Sequence, residues 1–177
     1  MKYFFENRNR ICVQKELNAK SEYIKWMKLI LRRSKEIGKI EIPISAVIID
    51  ENGRCIGRGS NKRNSNNDPL GHAEIIALKQ ASLLKNDWRF NECQIITNLE
   101  PCTMCTSVLI QARMGRVIYG SEDPKRGALG GTINLAEHKS AHHNMLIERG
   151  VMEKESRKII VDWFKDKRVL AKEKFII

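Results

Sequence analysis

An α/β fold, with a central sheet covered on both faces, is predicted from two observations on this 177-residue chain. Short runs rich in Ile and Val alternate with segments whose apolar residues recur at helical spacing, and such alternation places helices against a sheet. Asn52-Gly53, between the first two runs, supplies the two-residue turn that joins antiparallel strands.

The elements follow in order. Residues 1–20 lack clear periodicity and read as a mobile arm. From Ser21 a helix places Tyr23, Trp26, Met27, Ile30, Leu31 and Ile37 on one face and lysines and arginines opposite, with Gly38 as its stop. Ile44–Ile49 is a buried strand and Cys55–Gly59 its hairpin partner. Ser60–Gly71, rich in Asn, Lys, Arg and Asp, is a loop that leads into a helix beginning near His72. Gln94–Leu99 is a third strand. Pro101 is expected to open the next helix at the first-turn position, and that helix runs to Arg113. Arg116–Tyr119 is a fourth strand, Asp123–Gly131 a glycine-rich loop and Met145–Glu148 a short fifth strand. A last helix carries Ile159, Ile160, Trp163 and Phe164 on one side. There is no repeat and no low-complexity linker, so residues 21–177 form one domain.

Composition narrows the partners. Mean hydropathy is −0.42, and no apolar run approaches the length that crosses a bilayer, which excludes a membrane-spanning role. The first eighteen residues lack the apolar core and cleavage site of a signal peptide. The five cysteines are an odd number; Cys12, Cys55 and Cys93 read as free thiols of a reducing cytoplasm. A net charge of +11 suits a polyanionic partner such as RNA, although a basic surface also serves solubility alone.

The chemistry lies in His72-Ala73-Glu74 and Pro101-Cys102-Thr103-Met104-Cys105. One histidine and two cysteines are ligands zinc prefers, and three protein ligands leave a fourth position for water. Cys102 and Cys105 are three apart, so both fall in the first turn of a helix, where unpaired amides favour thiolate. Glu74 is placed to shuttle protons: it takes one from the attacking water, delivers it to a ring nitrogen, then protonates the departing amino group. H-x-E paired with P-C-x-x-C is the signature of zinc nucleobase deaminases. The residues alone also allow a structural zinc clip, with a fourth ligand from Cys12, Cys55, Cys93, His138, His142 or His143, or a redox C-x-x-C pair.

From Ser21 to Phe164 the chain resembles the bacterial tRNA-specific adenosine deaminases, of the cytidine deaminase superfamily. The resemblance is carried by Glu41–Val47, Asn61, Asp68–Glu74, Leu99–Cys105, Gly115–Gly120 and Asp123–Gly131. It implies a three-layer α/β/α sandwich around a five-stranded mixed sheet, assembled as a homodimer with one zinc per subunit and no nucleotide cofactor. It implies conversion of adenosine to inosine at the wobble position of the anticodon of an arginine tRNA. Carried over by residue, His72, Cys102 and Cys105 bind zinc and Glu74 is the proton shuttle. Asn61 and the backbone amides of Ala73 and Cys102 contact the base; Asp123 meets the ribose backbone. Pro43 and Phe164 flank the pocket, with Trp163 beside Phe164. As simpler roles, Asn61 and Asp123 are also ordinary turn formers.

Backbone contacts to the anticodon arm are expected from Lys62, Arg63, Lys125, Arg126, Lys165, Lys167 and Arg168, while His142 and His143 are expected at the surface or against the RNA backbone. Asn98 stands where a threonine is common before Leu-Glu-Pro-Cys, which bears on strand packing. A base flips out most cheaply when already unpaired, as in an anticodon loop. Two competing readings remain at this level. One is a small-molecule deaminase of cytosine, guanine or a cytidine nucleotide with the same zinc site; the other is a zinc-stabilised RNA-binding module that needs no Glu74.

Overall fold

A computed structural model describes the backbone of residues 2–173 and the side chains of residues 19–170. Its elements are α1 (Lys2–Ile37), β1 (Ser45–Ile49), β2 (Cys55–Ser60), α2 (Ala73–Lys85), β3 (Gln94–Leu99), α3 (Thr103–Gln111), β4 (Arg116–Ser121), β5 (Leu146–Glu148) and α4 (Glu153–Glu173). The strands form one mixed sheet in the order β2-β1-β3-β4-β5. β1 runs antiparallel to both β2 and β3, and β3, β4 and β5 are parallel.

The strands read as unbroken apolar runs because successive side chains serve two cores. Ala46, Ile48, Ile95, Val117 and Tyr119 face α2 and α3, where they meet Ala73, Ala77, Ala81 and Leu109. Val47, Ile49, Ile96 and Ile118 face the other way, against Tyr23, Met27, Ile30 and Leu31 of α1 and Ile159 of α4. These two apolar layers make the three-layer sandwich. α2 lies unusually close to the edge strand: a Cβ added at Gly59 would sit 2.0 Å from the Ala73 carbonyl oxygen, and one at Gly57 2.3 Å from that of Ala77. Glycine on the strand opposite alanine on the helix therefore sets the height of His72 over the sheet.

The structure corrects two sequence expectations. α1 begins at Lys2, not Ser21. Residues 2–37 contain neither glycine nor proline, so backbone propensity continues the helix where no amphipathic stripe marks it. Pro101 lies outside α3. Cys102 is the N-cap, in extended conformation (φ −71°, ψ 175°), and Thr103 is the first helical residue. The Pro101 carbonyl instead accepts the Ala128 amide (3.0 Å) and the Thr106 hydroxyl (3.2 Å), tying the glycine-rich loop to α3. Among the described residues no helix is long and apolar enough to cross a membrane.

Candidate metal centre and active site

Two helix N-termini meet at the carboxyl end of β3. His72 caps α2 with its backbone extended, and Cys102 caps α3. The His72 Nδ1 atom lies 3.6 Å from Cys102 Sγ and 3.4 Å from Cys105 Sγ, and all three atoms are within 4.8 Å of one another. A tetrahedral zinc bonded at about 2.0 Å to nitrogen and about 2.3 Å to sulfur needs those atoms roughly 3.5 Å apart. The three side chains meet that requirement and fit the ion.

Among the described residues, no fourth His, Cys, Asp or Glu atom joins the group. Cys55 is exposed on β2, Cys93 is buried at the opposite end of β3, and His143 is engaged with the Met114 carbonyl (2.8 Å). The Cys12 side chain lies outside the described residues. A closed four-ligand clip therefore finds no support among the described side chains.

The electrostatics suit metal binding and proton transfer. A hydrogen bond from the Cys105 thiol, with a second from His72, draws the Cys102 thiol down to about 4, while the same sharing and burial push Cys105 up. The hydrogen bond to Cys102 raises His72. Glu74 is 5% exposed and faces Cys105. Burial, opposed by its own backbone amide, pushes its carboxyl up to about 7, the range in which a carboxyl both holds and yields a proton near neutrality.

The residues expected at the pocket are placed unequally. Asn61 is buried, and its Oδ1 accepts the Ala73 amide at 3.1 Å. The two groups that the resemblance gives to the base thus bond to each other, and no hydrogen bond among the described residues uses the Asn61 Nδ2. Asp123 is half-buried; its Oδ1 accepts the Lys125 (2.9 Å) and Arg126 (3.1 Å) amides, as a turn former does. Pro43 sits at the entrance to β1 with its carbonyl bonded to Asn98 Nδ2 (2.9 Å). Phe164 is 44% exposed and packs edge-on to Trp163, whose indole donates to the Gly38 carbonyl. Lys62, Arg63, Lys125, Arg126, Lys165, Lys167 and Arg168 are exposed, with Arg63 near enough to His72 to oppose its positive charge. His142 is also exposed.

Two residues carry structural roles that sequence did not reveal. Glu100 is 2% exposed, and its carboxylate accepts the amides of Asp123 (2.9 Å), Leu129 (2.8 Å) and Gly131 (2.9 Å). A Cβ at Gly127 would fall 2.2 Å from its Oε2, so the loop closes on this carboxylate only with glycine there. Glu41, also buried, holds the loop between β2 and α2 through the Ser65 amide (2.8 Å). The one available signal for Glu100 was an acid directly following an apolar strand and directly preceding the metal motif.

Residues 20–121 match the model of the cytidine and deoxycytidylate deaminase zinc-binding region. A tRNA-specific adenosine deaminase of Agrobacterium fabrum is 33% identical over 150 residues, which cover 84% of this chain and 98% of that protein. A solved structure from a study of A-to-I editing by tRNA:A34 deaminases superposes with a TM-score of 0.72 at 34% identity, over 75% of this chain and 96% of the other. A guanine deaminase of Bacillus subtilis superposes less completely, with a TM-score of 0.52 at 31% identity over 55% of this chain and 63% of the other.

Proposed function

We propose that this chain, which belongs to the cytidine and deoxycytidylate deaminase family and within it to the tRNA-specific adenosine deaminases, hydrolyses adenosine to inosine at the wobble position of a tRNA anticodon. One observation carries the reading: an open His72, Cys102 and Cys105 cluster with the buried Glu74 beside it.

Zinc held by these three side chains supplies Lewis-acid activation of water. The rest is done by the chain. Glu74 accepts a proton from the attacking water at its carboxylate and passes it to a purine ring nitrogen; it then takes the second proton from the hydroxyl newly bonded to the ring carbon and gives it to the amino group, which leaves as ammonia as the carbonyl forms. With a carboxyl near 7, both directions of transfer lie within reach at neutral pH. Asn61 orients the base through its Nδ2, and the amides of Ala73 and Cys102 join it once the base displaces the Asn61–Ala73 bond; Asp123 meets the ribose backbone. Pro43 and Phe164 flank the pocket. Lys62, Arg63, Lys125, Arg126 and the basic residues of α4 hold phosphates of the loop.

The substrate is an arginine tRNA with an ACG anticodon. The enzyme is a cytoplasmic homodimer with one zinc per subunit, and residues 21–177 form its deaminase domain. The test is incubation of purified protein with that tRNA, followed by nucleoside analysis. Inosine at the wobble position is expected, with activity that falls steeply as salt is added. Efficient turnover of free guanine, cytosine or adenosine, without inosine in tRNA, defeats the reading.

A further inference from the structure

A groove of about 400 Å³ separates α1 from the edge strand β2 on the sheet face opposite the metal. β1 forms its floor, and Trp26, Leu29, Arg32 and Arg33 of α1 face Cys55 and Arg58 of β2 across it. Its size lies within the range of ligand sites, about 300–1,000 Å³. Three arginines and one acid, Glu36, line it. Arg32 and Arg58 are exposed, and neither forms an ion pair with a described residue. The charge extends along the helix: Lys25, Lys28, Arg32 and Lys35, spaced three and four apart, are all exposed on one face, and the exposed Lys39 follows its end. Lys20–Lys39 holds seven basic residues against Glu22 and Glu36.

A hydrogen-bond path leads from the groove to the metal corner. Arg33 Nε donates to the Ser60 hydroxyl at 3.2 Å. Ser60 and Asn61 are neighbours at the end of β2, and Asn61 accepts the amide of Ala73, between His72 and Glu74. Neighbouring residues at the strand end thus bond to Arg33 of the groove and to the amide beside His72.

We infer that the α1–β2 groove is a second RNA-binding site, which takes the backbone of the substrate where it runs beyond the flipped nucleotide. Arg32, Arg33 and Arg58 meet phosphates, and the half-buried Trp26 offers a ring edge to a base. The inference rests on the RNA reading above and extends it to a surface outside the catalytic pocket.

The experiment compares wild type with the double variant Arg32→Glu, Arg58→Glu, which leaves the Arg33–Ser60 bond intact. tRNA binding is followed by fluorescence anisotropy across a salt series, and inosine formation is measured on full tRNA and on a five-nucleotide loop fragment. The expected result is a KM for tRNA raised roughly tenfold or more with kcat changed less than twofold. The slope of log affinity against log salt should become shallower by about 1.4 to 1.8, two phosphate contacts' worth. The loss on tRNA should exceed that on the fragment by a similar factor. Unchanged affinity and slope overturn the inference, as does an equal loss on both substrates. So does a change in oligomeric state with tRNA binding intact, which would make the groove a contact between copies. Anisotropy needs no turnover. A wild-type protein that makes no inosine defeats the proposed reaction, while the binding comparison still decides the groove.

Discussion

Two buried glutamates stand two residues from the metal motif's His72 and Cys102, and they do opposite things. Glu74 and Glu100 are 5% and 2% exposed. Glu100 receives three backbone amides from the loop it anchors, whereas Glu74 meets a thiol and its own amide, and burial governs its proton affinity. Burial with few hydrogen bonds leaves the Glu74 carboxyl ready to take a proton. Burial alone therefore does not mark the reactive acid; what separates the two is how many amides each has claimed.

The sharpest way to break that contrast is to neutralise each acid in turn. Glu74→Gln keeps the volume and removes the transferable proton, so kcat for inosine formation should fall by about 10²–10⁴, the usual contribution of general acid–base help. Zinc content by elemental analysis and the melting temperature should stay at the wild-type values. A variant that retains turnover would mean Glu74 is no shuttle, and one that loses zinc would make it part of the metal's support.

Glu100→Ala should show the converse. Three amides lose a charged acceptor, each such bond being worth about 1.5–3 kcal/mol, and removing one partner of a buried charged network costs about 3–5 kcal/mol. In a chain of this size the melting temperature should fall by roughly 10 °C. The residual activity should be lost through KM, since Asp123–Gly131 would no longer be held against α3. Glu100→Gln, which keeps an acceptor, should recover part of the stability. A fall in kcat with stability intact would place Glu100 in the chemistry and erase the distinction.

What could be read from the sequence follows the same divide. His72, Glu74, Cys102 and Cys105 announce themselves because zinc and proton transfer need particular atoms at fixed short spacing. The strands were legible because two-sided burial makes continuous apolar runs. Glu100 was inside a recognised motif and still silent, for its partners lie 23–31 residues away and are amides, which every residue has. The N-terminal part of α1 was missed for a different reason: its sequence carries no amphipathic stripe. Pro101 misled because a proline before a helix is compatible with several cap positions, and the Cys102 conformation decides among them.

Asn98 lies between the two cases, since sequence connected it with packing and the structure gives that packing a form. Its Oδ1 accepts the Ser45 amide (2.9 Å) and the Ser34 hydroxyl (3.2 Å), and its Nδ2 donates to the Pro43 carbonyl (2.9 Å), so one fully buried side chain pins α1 to the entrance of β1. Asn98→Ala leaves two backbone groups unpaired and should cost about 2–3 kcal/mol in denaturant unfolding. On the proposed placement of Pro43 beside the pocket, KM should rise severalfold with zinc retained.

The smallest effect is expected at Asp123, where turn former and ribose contact give different patterns. Its Oδ1 already serves the Lys125 and Arg126 amides, work that an asparagine oxygen does equally well. Asp123→Asn should therefore leave stability within about 0.5 kcal/mol and KM within about twofold, whereas Asp123→Ala should lose about 1 kcal/mol and raise KM through a looser loop. If Asn and Ala instead raise KM alike at unchanged stability, the carboxylate itself meets the RNA. Asp123 would then side with Glu74, as an acid whose charge is not fully claimed by backbone amides.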